Sequence, residues 1–273
     1  MLTNETYFSE ENNMAYMGHS QFLAFERCEA AALAELRGEY TPPGDNKALL
    51  IGGYVDAAFS GELPMFKATH PEIFKRDGSL KADFQKAEEV IDRMSRDRLY
   101  MMLMSGKNQI IKTGTIAGVP FKIKIDSLLT ESQCDDIVSE FPETKSVLAL
   151  VDGAIVDQKV MRDMEPIWNP EIRCKESFIE HWGYDIQGAI YQAIDGRNLP
   201  FILAVGTKEE SPDLAAITIG DEYLKESLHH VEEMAPRYQA IKEGKIEPHY
   251  CGHCPYCRSR KHLEGIINYK EME

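Results

Sequence analysis

The stretch "AIVDQKV", residues 154–160, is a short apolar segment interrupted by Asp157, Gln158 and Lys159. Alternation along a strand puts Asp157 and Lys159 on one face, about 7 Å apart along the backbone. Aspartate and lysine are rarely buried unless they are paired, so a buried strand needs a reason to carry both. The stretch therefore predicts a strand whose end presents a carboxylate beside an ammonium.

A second carboxylate has a similar setting, because Asp126 ends the alternating segment "KIKIDS" at residues 122–127. Carboxylates near the ends of neighbouring strands can chelate Mg²⁺, with water and substrate phosphate completing the coordination. Such an ion supports phosphodiester hydrolysis, and Lys159 would orient the attacking water or neutralise charge on the phosphate. The alternative is that Asp157 and Lys159 form an exposed ion pair on an edge strand.

Composition is typical of a soluble globular protein with a sizeable core. The chain has 273 residues, of which 43% are hydrophobic and 27% are charged. We find no apolar run of transmembrane length, and the first twenty residues lack the basic and apolar regions of a signal peptide, which predicts a cytoplasmic protein without a membrane partner. The net charge of −15 argues against a general nucleic-acid binder, but a nuclease also clusters carboxylates, so charge alone does not decide.

Helical periodicity dominates the first hundred residues. The segment "SQFLAFERCEAAALAELRG", residues 20–38, predicts one helix that begins at Ser20 and stops at Gly38. A second helix is predicted in residues 48–61, and a third over residues 83–104.

Strand patterns dominate the middle of the chain. Residues 115–131 alternate around a Gly-Val-Pro turn and predict a hairpin. Asp152-Gly153 is expected to form a tight turn between two short strands. Downstream, the patterns predict a helix over 176–196 with Trp182 in its apolar stripe, strands at 200–207 and 213–220, and a long helix over 221–244.

The order of these motifs resembles the PD-(D/E)XK nuclease superfamily, in particular its RecB-like branch. The matching residues are a strand with Asp126, a strand with Asp157-x-Lys159, and a helix with Gln187-x-x-x-Tyr191. The resemblance implies that Asp126, Asp157 and Lys159 are catalytic, that both aspartates bind the metal, and that Gln187 and Tyr191 lie near bound DNA.

The resemblance also implies a fold. It predicts an α/β, restriction-endonuclease-like core with a mixed central sheet flanked by helices. The whole chain, 1–273, is expected to be one nuclease domain with its core at about 110–206. N-terminal helices over 20–104, and a C-terminal helix with a cysteine-rich tail over 221–262, would decorate that core.

Residues 49–62, "LLIGGYVDAAFSGE", are similar to a helix of phage and RecE-type exonucleases in which a histidine binds metal. Asp56 stands where that histidine is expected, and aspartate also suits Mg²⁺ or Mn²⁺. The resemblance implies a metal-dependent DNA exonuclease of phage or prophage recombination, with a single-strand annealing protein as partner and a homo-oligomeric state. The alternative is a catalytically silent nuclease fold that binds DNA or a recombination partner.

The tail "HYCGHCPYCRSRKH", residues 249–262, carries three closely spaced cysteines. In a chain without a secretion signal this spacing predicts metal binding before disulfides, and four soft ligands suit zinc or an iron–sulfur cluster. The candidate ligands are Cys251, Cys254 and Cys257, completed either by one of His249, His253 and His262 or by Cys28.

Cys28 with the three tail cysteines resembles the iron–sulfur staple of AddB-type and CRISPR-associated RecB-like nucleases. That resemblance implies a [4Fe–4S] cluster that ties the chain ends together, although the C-x2-C-x2-C spacing departs from the longer second gap common in the staple. Zinc is the alternative, and Cys28 as a plain buried thiol is a third interpretation.

Overall fold

The computed structural model has a five-stranded mixed sheet and a separate two-stranded hairpin. It describes residues 2–44, 46–170, 172–262, 265, 266, 268 and 270. The strands are β1 (Lys107–Ile116), β2 (Val119–Thr130), β3 (Gly153–Met161), β4 (Ile167–Asn169), β5 (Cys174–Glu176), β6 (Phe201–Thr207) and β7 (Leu214–Thr218). The large sheet has the order β1-β2-β3-β6-β7, in which only β3 and β6 are parallel neighbours. The expected mixed central sheet is confirmed.

Helices surround the sheet on both faces. They are α1 (Glu10–Ala15), α2 (His19–Arg27), α3 (Glu29–Leu36), α4 (Lys47–Phe59), α5 (Leu63–Thr69), α6 (Ala82–Ser95), α7 (Arg98–Leu103), α8 (Glu131–Glu140), α9 (Lys145–Leu148), α10 (Phe178–His181), α11 (Tyr184–Asp195), α12 (Asp221–Lys242) and α13 (Pro255–Ser259). Among the helices described, none is both long and apolar enough to cross a membrane.

The central strands are buried on both faces, so successive residues enter two different cores. Ile155 and Leu203 pack with α2, α11 and α12, whereas Val156 and Ala204 pack with α4, α6 and α8. Every residue of β6 is buried. This burial explains why β6 is a nearly continuous apolar run, and why the charged residues that interrupt β3 need partners.

The parallel pairing of β3 with β6 requires a crossover, and that crossover carries α11. Gly188 allows α11 to lie close to the sheet, because a Cβ at this position would stand 2.7 Å from the Phe201 ring and 2.9 Å from Leu224. Burial of α11 against β1, β2 and β6 places its Gln187 and Tyr191 over the strands with the predicted carboxylates.

The prediction of one continuous helix over residues 20–38 is wrong. The segment forms two helices, α2 and α3, because Cys28 between them adopts an extended backbone with φ −168° and ψ 107°. The first helix also begins earlier than expected, with Gly18 rather than Ser20 at its N-cap. Cys28 leaves the helical path at the point where its sulfur meets the C-terminal tail, so a long-range contact overrides local propensity.

The predictions of one long helix over residues 83–104 and of a tight turn at Asp152-Gly153 are also wrong, and neighbouring residues explain both differences. Residues 83–104 form α6 and α7, because the Asp97 side chain accepts the Tyr100 N–H at 2.9 Å and caps a new helix. Gly153 begins β3 rather than joining two strands, and the segment before it contains α9. A Cβ at Gly153 would lie 2.3 Å from the Leu129 carbonyl oxygen. A glycine at this position therefore allows the start of β3 to lie close to β2.

The helix predicted over 176–196 is likewise two helices. Gly183 interrupts it with a left-handed backbone, φ +65°, and a Cβ there would meet the Leu23 side chain at 2.8 Å. Trp182 was expected in the apolar stripe, but it is 43% exposed because the turn at Gly183 rotates it away from the core.

The N-terminal segment, residues 2–17, is fastened to the body by two lysines. The Lys242 ammonium donates to the carbonyls of Asn13 and Tyr16 at 3.0 and 3.1 Å and to Gln21 Oε1 at 2.8 Å. Burial lowers the pKa of Lys242 to about 8, so it is still protonated at neutral pH and uses three donors. Lys122 on β2 donates to the Tyr7 carbonyl and to Asn13 Oδ1.

Replacing Lys242 with methionine should loosen this segment, because the Asn13 and Tyr16 carbonyls would lose their donor. We expect a loss of about 1–3 kcal/mol in the free energy of unfolding. Hydrogen exchange in residues 2–17 should also become faster. The matched control is Lys225→Met, an exposed lysine on the same helix, which should change neither measurement. Equal exchange rates in the two variants would contradict this account.

Candidate active site

The strands β2 and β3 part at the two predicted aspartates. Their backbone pairing runs from Thr130–Gly153 to Ser127–Val156, and the next residues in this register are Asp126 and Asp157. There the Gln158 N–H donates to Asp126 Oδ2 at 2.9 Å instead of to a backbone carbonyl. A carboxylate thus ends the ladder, and two acidic side chains stand at the point where the strands separate.

Asp157 is held by two neighbours at this junction. It is 2% exposed, and the Gln187 amide of α11 donates to its Oδ1 at 2.6 Å. The Lys159 ammonium forms an ion pair with Oδ2, on the same strand face as the alternation predicted. The edge-strand alternative is wrong for this pair, since β3 lies between β2 and β6 and both side chains are largely buried.

Asp56 reaches the same region from α4. It lines the cleft together with Asp126, Asp157 and Lys159. Burial raises the pKa of Asp56 to about 6, and the Asp157 charge adds to the rise while Lys159 and Lys124 oppose it. The structure therefore brings the three acidic residues of the predicted metal site to one cleft.

The electrostatics of this group favour a bound cation. Burial, followed by the charges of Asp157 and Asp56, raises the pKa of Asp126 well above its ordinary value. Burial alone would lower the pKa of Lys159, but Asp157 and Asp126 raise it above that of a free lysine. The three carboxylates thus outnumber the nearby ammonium groups of Lys159 and Lys124, and their hard oxygen atoms are the ligands that Mg²⁺ and Mn²⁺ prefer.

The two residues predicted near DNA are committed to protein contacts. Gln187 is 4% exposed and binds Asp157, as described above. Tyr191 is 7% exposed, and its hydroxyl donates to the Lys124 carbonyl of β2 at 3.0 Å. Both line the cleft, so contact with DNA stays a prediction, while the visible role of each is to position a strand.

The cleft has a volume of about 750 Å³. Several of the residues that line it were not predicted from the sequence. Lys122 and Lys124 share a face of β2 with Asp126, a period-two pattern that was readable in "KIKID". The N-terminal segment contributes Tyr7 and the 72%-exposed Phe8, for which the sequence offered no signal.

His19 is another cleft residue without a sequence signal. Burial, followed by the Lys159 charge, lowers the pKa of His19 to about 3, so the imidazole is neutral. Its Nε2 lies 2.8 Å from the Gly183 carbonyl oxygen, which can only accept, so Nε2 carries the proton. His19 therefore ties α2 to the turn from which α11 starts.

The predicted cysteine site lies apart from these carboxylates. The sulfurs of Cys28, Cys251, Cys254 and Cys257 all lie within 4.8 Å of one another, and they are the one group of potential metal ligands gathered this tightly in the described part of the chain. The tail histidines stay outside this group. His249 donates its backbone N–H to Glu29, and the His253 ring contacts the Cys251 carbonyl.

Comparisons with known proteins identify the family of this chain. The model of a family described as "PDDEXK-like domain of unknown function (DUF3799)" matches residues 18–137 and 146–260. The chain belongs to this PDDEXK-like family. The matched ranges include the three acidic residues, Lys159 and all four clustered cysteines.

A solved structure resembles this PDDEXK-like chain along its whole length. It is described as a "Putative exonuclease" from Eubacterium rectale, is 38% identical, and superposes with a TM-score of 0.83. The match covers 100% of this chain and 98% of the other. No curated protein matches the chain. The PDDEXK-like family and this neighbour place the chain in the PD-(D/E)XK nuclease superfamily, as the motif order indicated.

Replacing Gln187 with methionine should test how the PDDEXK-like site is held. The substitution keeps the length of the side chain but removes the amide that fixes Asp157 Oδ1. Residues that orient a metal-binding carboxylate typically contribute about 10–100-fold to metal affinity or activity. We expect a loss of that size in turnover, with the circular dichroism spectrum unchanged. The control is Gln192→Met on the same helix, whose amide binds the Leu199 carbonyl instead; equal losses in both variants would contradict the positioning role.

Proposed function

We propose that this chain is a metal-dependent nuclease that hydrolyses DNA phosphodiester bonds from an end, as an exonuclease. One observation carries the proposal: Asp126, Asp157 and Lys159 meet where β2 and β3 part, inside a cleft of a PDDEXK-like fold. The description of the Eubacterium rectale neighbour supports the exonuclease assignment.

The carboxylates of Asp126, Asp157 and Asp56 would hold Mg²⁺ or Mn²⁺. When bound, such an ion polarises a phosphoryl oxygen and lowers the pKa of its bound water, which provides the nucleophile. Lys159 keeps its proton beside these carboxylates, so its charge is available to orient water and to offset negative charge that builds on the phosphate. The Gln187 amide, which donates to Asp157 Oδ1, would hold that carboxylate in one orientation.

Contacts to DNA must come from individual positively charged side chains at the site, because a chain with a net charge of −15 repels a polyanion at long range. Lys124 is suited to contact a phosphate. It lies on the cleft face of β2, and no hydrogen bond or ion pair of its ammonium is found among the described residues. Lys122, two residues before it, is occupied with Tyr7 and Asn13.

The finer assignments rest on the resemblance to RecE-like exonucleases. The position of Asp56 in the cleft supports that branch, since it stands where those enzymes carry a metal-binding histidine. We accordingly propose a cytoplasmic enzyme of phage or prophage recombination that acts as one domain. A single-strand annealing protein as partner and a homo-oligomeric assembly belong to the same proposal.

Replacing Asp157 with asparagine should abolish cleavage, because the charge that helps to hold the cation is removed while the shape is kept. We expect activity to fall by at least about 10²-fold, with an unchanged circular dichroism spectrum but a lower free energy of unfolding, because the buried ion pair with Lys159 is broken. Linear and covalently closed duplex DNA, each with Mg²⁺, Mn²⁺ or a chelator, are the substrates. An exonuclease degrades only the linear form.

Asp135→Asn is the matched control for this experiment, because Asp135 is an exposed aspartate on α8 outside the cleft. It should retain full activity. Full metal-dependent cleavage by the Asp157→Asn protein would show that the three residues do not carry the reaction. Binding of DNA without cleavage by the unaltered chain would favour the catalytically silent alternative.

Replacing Lys124 with alanine should weaken DNA binding about equally for all sequences. Loss of one phosphate contact lowers the slope of log affinity against log salt by about 1. The measurement is a salt titration of binding to a labelled linear duplex in Ca²⁺, which limits cleavage. Lys145→Ala, an exposed lysine on α9, is the control and should leave the slope unchanged. An unaltered slope for Lys124→Ala would remove this residue from the DNA surface.

A further inference from the structure

Four cysteines from opposite ends of the chain form a compact sulfur site. Cys28 and Cys257 are 229 positions apart in sequence, yet their sulfurs are 3.6 Å apart. The Cys251 and Cys257 sulfurs are separated by 3.8 Å, and all four sulfurs lie within 4.8 Å of one another. These spacings are too long for disulfide bonds, whose sulfurs are about 2.05 Å apart.

The spacings match the ligands of a single ion. With zinc–sulfur bonds of about 2.3 Å, the edges of an ideal tetrahedron of sulfurs measure about 3.8 Å. The thiolates of a cubane iron–sulfur cluster each bind a different iron, so they stand farther apart than the ligands of one ion. A set of four sulfurs confined within 4.8 Å leaves no room among them for four irons and four sulfides.

Backbone N–H groups donate to two of the four sulfurs. The Cys254 N–H donates to the Cys251 sulfur at 3.3 Å, and the Cys257 N–H donates to the Cys254 sulfur at 3.4 Å. Hydrogen bonds of this kind stabilise thiolates, which are the form that binds metal. Ala30, Ala34 and Tyr256 pack around the site with the cysteines, of which Cys28 and Cys257 are buried and Cys251 and Cys254 are partly exposed.

Protein contacts bring the two chain ends together beside the sulfurs. The Ala30 N–H donates to the His249 carbonyl at 3.1 Å, and the His249 N–H donates to Glu29 Oε2 at 2.7 Å. Arg237 of α12 binds both oxygens of Glu29. The break at Cys28 is part of this arrangement, because the extended backbone there separates α2 from α3 where the sulfur meets the tail.

We propose that Cys28, Cys251, Cys254 and Cys257 bind one zinc ion that fastens the N-terminal helices to the C-terminal tail, in place of the iron–sulfur cluster of the staple that these residues resemble. The ion has a structural role, since four protein ligands fill a tetrahedral shell and leave no position for water or substrate. It closes a long loop and restricts the unfolded chain.

Metal analysis of the full-length protein, purified with and without oxygen, tests this assignment. We expect about one zinc ion per chain, a colourless solution, and no acid-labile sulfide under either condition. The Asp157→Asn protein should hold the same amount of zinc, which separates this site from the carboxylate cleft. A brown anaerobic protein with stoichiometric iron and sulfide would overturn the proposal, and so would a chain without bound metal.

Cys28→Ser should lower the zinc content at least about tenfold and should lower the midpoint of thermal unfolding. Cys174→Ser is the matched control, because Cys174 is an exposed cysteine outside the site, and it should keep full zinc content. If Cys28→Ser does not fold, cobalt substitution of the unaltered chain replaces it. The spectrum of four-thiolate tetrahedral Co²⁺ supports the site, and a spectrum with fewer thiolates refutes it.

Discussion

The separation of β2 from β3 at Asp126 and Asp157 is the constraint on which the rest of the structure depends. At this point a carboxylate accepts the Gln158 N–H that a backbone carbonyl would otherwise receive. The two acidic side chains are then free to face a cleft, while their strands stay inside the sheet. A charged group can stand in the middle of a sheet only if neighbours or a bound ion satisfy it, and here Gln158, Gln187 and Lys159 meet part of that need.

Burial of the site explains its supporting groups. Removing Asp157 and Lys159 from water is costly, and breaking a buried pair by deleting one partner is strongly destabilising. Gln187 adds a hydrogen bond to the pair, and Gly188 beside it lets α11 approach closely enough to do so. The excess of carboxylate over ammonium that remains is stabilised when a divalent cation binds. Stability and the proposed chemistry therefore rest on the same contacts.

The N-terminal segment, residues 2–17, and the cysteine-rich tail, residues 249–262, are held to the rest of the fold by different kinds of contact. Residues 2–17 form a wall of the cleft and are held by Lys122 and Lys242, both of which donate to backbone carbonyls. The tail is held by Glu29 and by the four cysteines. The oxygen atoms in the cleft suit the proposed hard divalent ion and the sulfur atoms at the tail suit the proposed zinc, so the two proposed ions differ in the ligands that they prefer.

Alternation in the sequence by itself located β2, β3, β6 and β7, because it is a local property that survives folding, and the order of the motifs carried the resemblance that implied the mixed sheet and the acidic residues with Lys159. The same kind of reading failed at Cys28, at Gly183 and at Trp182. In each case a distant contact decides the local backbone: the tail sulfurs at Cys28, and Leu23 with His19 at Gly183.

Only the tertiary structure decided which groups meet. It placed Asp56, His19 and Lys124 in one cleft with Asp157, although these residues belong to separate elements. It also set the distances among the four sulfurs, on which the proposal of a single zinc ion rests and which cysteine spacing in the chain does not provide. Distances between segments far apart in sequence depend on how helices and strands pack, and no local pattern of residues encodes them.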